Sequence, residues 1–257
     1  MYETLLTALA ENIFTITLNR PEKLNALNQT VIRELDRAVQ EVYDNPEIRA
    51  AIITGSGQKA FAAGADIRGF SGLDAAQGLA LAKEGSAVFF KIENAPKPIV
   101  AAVNGFALGG GCELAMACHF RLCSENAQFG QPEINLGLIP GYGGTQRLAK
   151  YIGRGPALEA LLTGNMISAR TAWERGLVNH ITGSDELMTK TTALLKQITG
   201  KSSLAIAKCI RAVGAAFSGE DGYALENQLF GECFGTDDMR EGTAAFLEKR
   251  QPVFRGS

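Results

Sequence analysis

The chain is organised around one stretch near its middle, which reads Asn104-Gly105-Phe106-Ala107-Leu108-Gly109-Gly110-Gly111-Cys112-Glu113-Leu114-Ala115-Met116-Ala117. Three consecutive glycines stand between an apolar strand and a helix of small residues, and a carboxylate follows two positions later. Glycine loses more conformational entropy on folding than any other residue, so the run indicates a close backbone approach or unusual dihedral angles. Taken alone, a tight turn explains it equally well.

Working outward, the order of strand, small-residue loop and helix occurs twice in the first half of the chain. Residues 50–55 form a short apolar run typical of a strand covered on both faces. The loop 61–67 and a helix through Leu79 and Ile92 follow, and a strand over 99–103 then leads to the glycine run. Because parallel strands of α/β proteins end at one edge, both loops are expected at the same site, near free helix N–H groups.

The flanking segments complete a mixed α/β pattern. Alternation over residues 12–19 predicts a half-buried strand, and Asn28 is a suitable N-cap for a helix ending at Asn45. Residues 130–144 are rich in glycine and proline, which predicts a packed loop without regular structure. Beyond about residue 202 only helices are predicted. We therefore expect an α/β core domain over residues 1–200 and a C-terminal helical region over residues 201–257.

Composition narrows the classes of function. The 257 residues are 46% hydrophobic, enough for a large core, and the net charge of -2 leaves no basic surface for nucleic acid or anionic membrane. The five cysteines show no C-x-x-C pair, so no metal site is expected. No basic targeting segment opens the chain and no apolar run reaches membrane-spanning length, which favours a cytoplasmic protein.

Carboxylates are the strongest candidates for chemistry. The glycine run lacks the third glycine of a dinucleotide fingerprint, and the two histidines stand in no nucleophile–base pattern. Glu113 lies on the first turn of a predicted helix, and Glu133 lies in the packed loop. Singly, these read as a helix-dipole acid and a solvated acid. Together, beside two loops that present N–H groups, they fit proton transfer next to a thioester carbonyl.

Four segments together resemble the enoyl-CoA hydratase (crotonase) family, closest to short-chain enoyl-CoA hydratases and 3-hydroxybutyryl-CoA dehydratases. They are residues 19–27, the loop 61–67, residues 104–114, and residues 131–148 from Gln131-Pro132-Glu133 to Gly143-Gly144-Thr145-Gln146-Arg147-Leu148. The resemblance implies an α/β spiral of strand-strand-helix repeats. It also implies a C-terminal helical region that takes part in trimerisation, commonly in a hexamer made of two trimers.

The resemblance further implies a site. The backbone N–H groups of Ala65 and Gly110 would form an oxyanion hole, and Glu113 and Glu133 would hold a water and share the acid and base roles. Residues expected to contact CoA or substrate are Ala63, Ala65, Asp66, Ile67, Arg68 and Gly110, with Phe246 and Lys249 from a neighbouring subunit. His119 and Tyr142 differ from residues common in the family, which bears on packing or on the shape of the acyl pocket.

The implied activity is reversible addition of water across the 2,3 double bond of a 2-enoyl-CoA, in fatty acid metabolism such as β-oxidation. No cofactor or metal is expected, because CoA is part of the substrate. Enoyl-CoA isomerisation and hydration of a specialised acyl-CoA stay open as alternatives. RNA binding through residues 28–44 is disfavoured, since two arginines there face four acids. The expected partners are therefore an acyl-CoA thioester and further copies of the chain, with no nucleic acid and no membrane.

Overall fold

The computed structural model describes residues 2–257. The strands are β1 (Leu5–Ala10), β2 (Ile13–Leu18), β3 (Ala50–Gly55), β4 (Ala60–Ala63), β5 (Ile99–Val103), β6 (Phe106–Leu108), β7 (Phe120–Ser124), β8 (Gln128–Gly130), β9 (Ile167–Ser168) and β10 (His180–Thr182). The helices are α1 (Gln29–Asp44), α2 (Ala75–Glu93), α3 (Gly110–Ala117), α4 (Gly144–Ile152), α5 (Arg154–Thr163), α6 (Ala169–Glu174), α7 (Leu187–Thr199), α8 (Ser203–Ala215), α9 (Gly222–Cys233) and α10 (Asp237–Leu247).

Six strands form the larger sheet, in the order β1-β2-β3-β5-β7-β10. Only β1 runs antiparallel to its neighbour, and the other pairings are parallel. Alternate residues of the central strands point to opposite faces, as the pleat requires. Ala51 and Ile53 pack into the main core, whereas Ala50 and Ile52 pack against a smaller cluster that includes Leu187 and Leu195 of α7. The predicted burial of 50–55 on both faces is therefore confirmed.

A second sheet of short strands, β4-β6-β8-β9, lies beside the first. Its first three strands are parallel and β9 is antiparallel. Along the chain, β3-β4-α2 is followed by β5-β6-α3, so each turn gives one strand to each sheet and then a helix. This is the strand-strand-helix spiral that the resemblance implied. The glycine run lies where β6 passes into α3.

Most predicted elements are confirmed. The strand at 12–19 is β2, and Asn28 caps α1 by accepting a hydrogen bond from the Val31 N–H at 2.9 Å. One prediction is partly wrong. Residues 130–144 were expected to lack regular structure, but residues 132–136 form a 3-10 helix, because Pro132 fixes the dihedral angle of its first position and needs no N–H partner there.

The C-terminal segment consists of α8, α9 and α10, as predicted. This segment exposes several large apolar side chains, namely Val213, Phe217, Tyr223, Phe230, Phe234, Phe246 and Leu247. Within residues 2–257, none of the helices combines the length and the apolar character needed to cross a membrane. The division of the chain at residue 200 into two regions stays a prediction.

Candidate active site

The glycine run brings two loops and one carboxylate together. Gly109 has φ +49° and ψ -126°, a conformation that residues with a Cβ avoid. A Cβ at this position would lie 2.5 Å from Glu133 Oε1 and 3.6 Å from the Cα of Gly64, which belongs to the other small-residue loop. Gly109 is therefore the point where the loop 61–67, the glycine run and Glu133 converge.

Of the next two glycines, only Gly111 is required by a close contact. A Cβ at Gly111 would lie 1.9 Å from the carbonyl oxygen of Ala62, so α3 packs directly on the backbone of β4. A Cβ at Gly110 would lie 3.4 Å from Leu27 and 3.5 Å from the ring of Tyr142, which is ordinary contact. A tight turn alone does not account for this run, since two of its three positions are set by contacts from other segments.

Two backbone N–H groups near this junction donate no backbone hydrogen bond within residues 2–257. The Leu27 N–H donates to Gly64 O, and the Asp66 N–H donates to Leu27 O, so the Ala65 N–H between them points away from this pairing. Gly110 is the first residue of α3, where N–H groups have no partner inside the helix. Among residues 2–257, neither the Ala65 nor the Gly110 N–H donates a backbone hydrogen bond. Both are available to an anionic oxygen.

Glu113 is almost fully buried, with 1% of its surface exposed, on the first turn of α3. Its Oε1 accepts hydrogen bonds from the N–H groups of Tyr142 and Gly144, each at 2.7 Å. Burial raises the pKa of Glu113 to about 7; the negative charge of Glu133 raises it too, whereas the two N–H donors and Arg147 oppose the rise. Its pKa therefore lies near neutrality, where a carboxylate can serve as a general base.

Glu133 lies in the 3-10 helix 132–136, and its Oε1 lies against Gly109. Its Oε2 is buried and has no hydrogen-bond partner within the part of the chain that the structure describes. Burial raises the pKa of Glu133 as well. The fold thus places the second predicted carboxylate against the glycine run, with one oxygen facing no protein donor.

Sequence reasoning missed the N–H donors that hold Glu113. They come from residues 142 and 144, which flank Gly143 at φ +97°. The glycine pair Gly143-Gly144 was the available signal, since neighbouring glycines mark close backbone approaches. It gave no indication of which side chain the backbone approaches.

A cavity of ≈ 880 Å³ opens beside Gly110. It is lined by side chains from the loop after β4, from α1 and α2, and by Tyr142, and Leu27 and Tyr142 are the lining residues that contact Gly110. Gly85 on α2 makes room for the Tyr142 ring, because a Cβ there would lie 2.3 Å from the ring. The expectation that Tyr142 shapes a pocket near the site therefore has a structural basis.

The predicted CoA contacts fall into two places. Ala63, Asp66, Ile67 and Arg68 lie together at and beyond the end of β4. Hydrogen bonds from Arg68, together with one from Arg20, hold the pKa of Asp66 well below its usual range, and the Arg68 side chain itself is 65% exposed. Phe246 is 83% exposed at the end of α10, and neither it nor Lys249 lines the cavity. Their contact with CoA, from a neighbouring subunit, stays a prediction.

Comparisons with known proteins identify the family of the chain. The sequence profile of the family described as enoyl-CoA hydratase/isomerase matches residues 8–257. Crotonyl-CoA hydratase of Syntrophomonas wolfei is 43% identical over 98% of both chains, and short-chain-enoyl-CoA hydratase of Clostridium acetobutylicum is 41% identical over 93% of this chain and 92% of its own. The crystal structure of enoyl-CoA hydratase from Bacillus anthracis superimposes with a TM-score of 0.94 at 35% identity, over 99% of this chain and 100% of its own. The chain therefore belongs to the enoyl-CoA hydratase/isomerase family, with the crotonase fold.

Proposed function

We propose that this protein is an enoyl-CoA hydratase, which adds water reversibly across the 2,3 double bond of a short 2-enoyl-CoA. The N–H groups of Ala65 and Gly110 bind the thioester oxygen and stabilise the negative charge that forms on it. Glu113 takes a proton from water as the water oxygen bonds to C3, and Glu133 delivers a proton to C2. The reverse reaction dehydrates a 3-hydroxyacyl-CoA.

One observation carries this proposal: two carboxylates with raised pKa values meet beside two N–H groups that have no backbone partner. Their environments differ in a way that suits two roles. Two N–H groups stabilise the ionised form of Glu113 at Oε1 and leave its other oxygen for water. Glu133 Oε2 has no donor within residues 2–257, which favours the protonated form of Glu133. The proton balance is nevertheless a property of the pair.

The names of the relatives support the substrate class. Two of them are named for crotonyl-CoA and for short-chain enoyl-CoA. We propose the same class here, with CoA as part of the substrate and no further cofactor or metal, because the two carboxylates supply both proton transfers. A cytoplasmic location also stays a proposal, and five cysteines without disulfide partners are compatible with a reducing compartment.

Turnover of defined thioesters tests the activity. We expect the purified protein to hydrate crotonyl-CoA to 3-hydroxybutyryl-CoA and to form crotonyl-CoA from that product, followed by the absorbance of the conjugated thioester. A 3-enoyl-CoA of the same length should be consumed far more slowly. A scan over acyl length should show the highest kcat/KM for short chains.

The outcome also separates the alternatives. Rapid conversion of the 3-enoyl-CoA to the 2-enoyl-CoA without hydration would replace the proposal with isomerisation. Hydration confined to a substituted or branched acyl group would make the protein a hydratase of a specialised acyl-CoA.

We also propose that the chain assembles through residues 201–257, as a trimer or a dimer of trimers. The support is the set of exposed apolar side chains on α8–α10, among which Phe230 and Phe234 lie with ring centroids 5.2 Å apart at 66% and 55% exposure. In such an assembly Phe246 and Lys249 would contact CoA held by a neighbouring subunit.

Light scattering after size-exclusion chromatography should give the mass of three or six copies. Phe230→Glu should lower that mass, because it puts a charge into the proposed interface. The matched control is Leu6→Glu on β1, where Leu6 is 55% exposed. A monomeric native protein, or dissociation by the control alone, would contradict this assembly.

A further inference from the structure

The backbone around Glu113 has an arrangement that needs a support. The N–H groups of Tyr142 and Gly144 both point at one oxygen, Glu113 Oε1, although one residue separates them. That residue, Gly143, has φ +97°, a conformation reached without strain only by glycine. Backbone geometry alone permits this turn but does not hold it, because a glycine is equally free to leave it.

The Arg147 side chain contacts this turn from the following helix. Its Nη1–H donates to the carbonyl oxygen of Tyr142 at 2.7 Å, and Tyr142 is the residue whose N–H binds Glu113. A Cβ at Gly143 would lie 2.5 Å from the same Nη1, so the guanidinium lies directly against the turn. Arg147 is one of the buried charged residues, with 3% of its surface exposed.

The other edge of the guanidinium is fixed by α2. Arg147 Nε–H and Nη2–H both donate to Glu93 Oε2, at 3.2 and 2.8 Å, and the group lies 5.2 Å from the centre of the Phe90 ring. A planar guanidinium that donates along two edges has one orientation, which a flexible ammonium would not have. Arg147 therefore ties the turn at 142–144 to the helix that lines the cavity.

From these contacts we propose that Arg147 is a positioning residue for catalysis, which holds the peptide of Tyr142 so that its N–H and that of Gly144 keep Glu113 ionised and correctly oriented. This inference rests on the proposed role of Glu113 as the base. It assigns to Arg147 no contact with substrate.

The charged and titratable groups near Glu113 lie on several different elements. Glu133 acts on Glu113 from the 3-10 helix, with the sign opposite to that of Arg147 on α4. Glu93 on α2 faces Arg147. Desolvation lowers the pKa of the half-buried His119, after α3, to about 4, so His119 is neutral at pH 7. Burial raises the pKa of Tyr142 to about 12, which keeps that hydroxyl neutral too. Arg147 thus lowers the pKa of Glu113, in opposition to the effect that Glu133 has when it is ionised.

Arg147→Gln removes both the positive charge and the planar group that donates hydrogen bonds along two edges. Glu113 should then hold its proton to higher pH, so the acidic limb of the kcat profile should move upward by about one pH unit, the size of shift that an opposite charge nearby produces. Arg147→Lys keeps the charge but not the two-edged geometry, so kcat should fall with a smaller shift of the limb. KM for crotonyl-CoA should change little in both variants.

Arg121 offers a matched control at the other end of α3. It is 2% exposed, and it donates to the carbonyl oxygens of Cys118 at 2.9 Å and Leu177 at 2.7 Å. Arg121→Gln and Arg121→Lys should therefore lower the melting temperature, as substitution of the buried Arg147 should also do, while the acidic limb and kcat stay near native values. If Arg147→Gln does not fold, the comparison of Arg147→Lys with Arg121→Lys tests the positioning role.

The inference is overturned if the Arg147 variants keep the native acidic limb and kcat, or if the Arg121 variants shift the limb equally. A readout without substrate separates this from a failure of the proposed function. With ¹³C-carboxyl glutamate, the Glu113 resonance is assigned by its loss in Glu113→Gln, and its titration should move upward in Arg147→Gln. A native protein that leaves crotonyl-CoA unchanged would refute the hydratase proposal, whereas an unmoved titration would refute only the positioning role.

Discussion

Glu113→Gln is expected to slow crotonyl-CoA hydration by roughly 100- to 10,000-fold, the usual contribution of a positioned general base. Glutamine fills the same space, and its amide oxygen can still accept the N–H groups of Tyr142 and Gly144. The amide nitrogen then faces the water as a donor and cannot take its proton. Binding of acyl-CoA, measured by calorimetry with a non-reactive butyryl thioester, should stay near the native value.

A second buried glutamate provides the control for this variant. Glu34 is 6% exposed and accepts hydrogen bonds from the N–H groups of Glu3 and Thr4, away from the site. Glu34→Gln should lower stability and keep kcat. Near-native turnover by Glu113→Gln would refute the base role.

The raised pKa of Glu113 also predicts how stability depends on pH. Its pKa is about 7 in the folded chain against an ordinary 4.5, so the folded state binds a proton that the unfolded state releases between these values. Below pH 4.5 Glu113 is protonated in both states, so its ionisation does not change the free energy of unfolding. As pH rises to 7, the native protein should lose free energy of unfolding relative to Glu113→Gln, measured by urea titration at several pH values.

Glu133→Gln is expected to reduce hydration by a similar factor, for a different reason. Within residues 2–257 Glu133 Oε2 has no hydrogen-bond partner, and in the proposed mechanism it holds the proton that goes to C2. An amide cannot supply that proton. Because an acid must be protonated to act, the variant should lose the alkaline limb of the pH–rate profile, whereas Glu113→Gln should lose the acidic limb.

The double variant Glu113→Gln/Glu133→Gln tests whether the two carboxylates act together. Groups that act as a unit are strongly non-additive, so the double variant should be only slightly slower than either single variant. Two results would mean that Glu133 does not supply the proton: a rate loss in the double variant equal to the product of the two single losses, or an intact alkaline limb in Glu133→Gln.

Much of this site was predictable because its signals are local. A glycine run before a carboxylate predicts a close backbone approach and a first-turn acid whatever surrounds it, and the structure has both at Gly111 and Glu113. Asn28 could likewise be recognised as a cap, since its partner is three residues away. The apolar run at 50–55 showed that both faces of β3 are covered, because composition alone separates a buried strand from a half-exposed one.

Other features could not be predicted because their reasons are distant in sequence. Gly85 looks like an isolated helix glycine. Its missing side chain, however, leaves the space that the ring of Tyr142 occupies, 57 positions later. The strands of the second sheet have two to four residues, too few to show a periodicity. Arg147 has the sequence context of an ordinary helix cation, and only its burial between Tyr142 and Glu93 gives it a role.

By itself, then, the sequence determined which residues are the candidates for the chemistry: two glutamates, and glycines and alanines whose backbone can reach a ligand. Only the tertiary structure decided how they meet. Three segments come together at Gly109 because it has no Cβ to collide with Glu133 or Gly64. The pKa of Glu113 depends on burial, on Glu133 and on donors from residues 142–144, all of which the fold supplies. The sequence shows which residues carry a carboxylate, whereas the groups that pack around a carboxylate set its proton affinity.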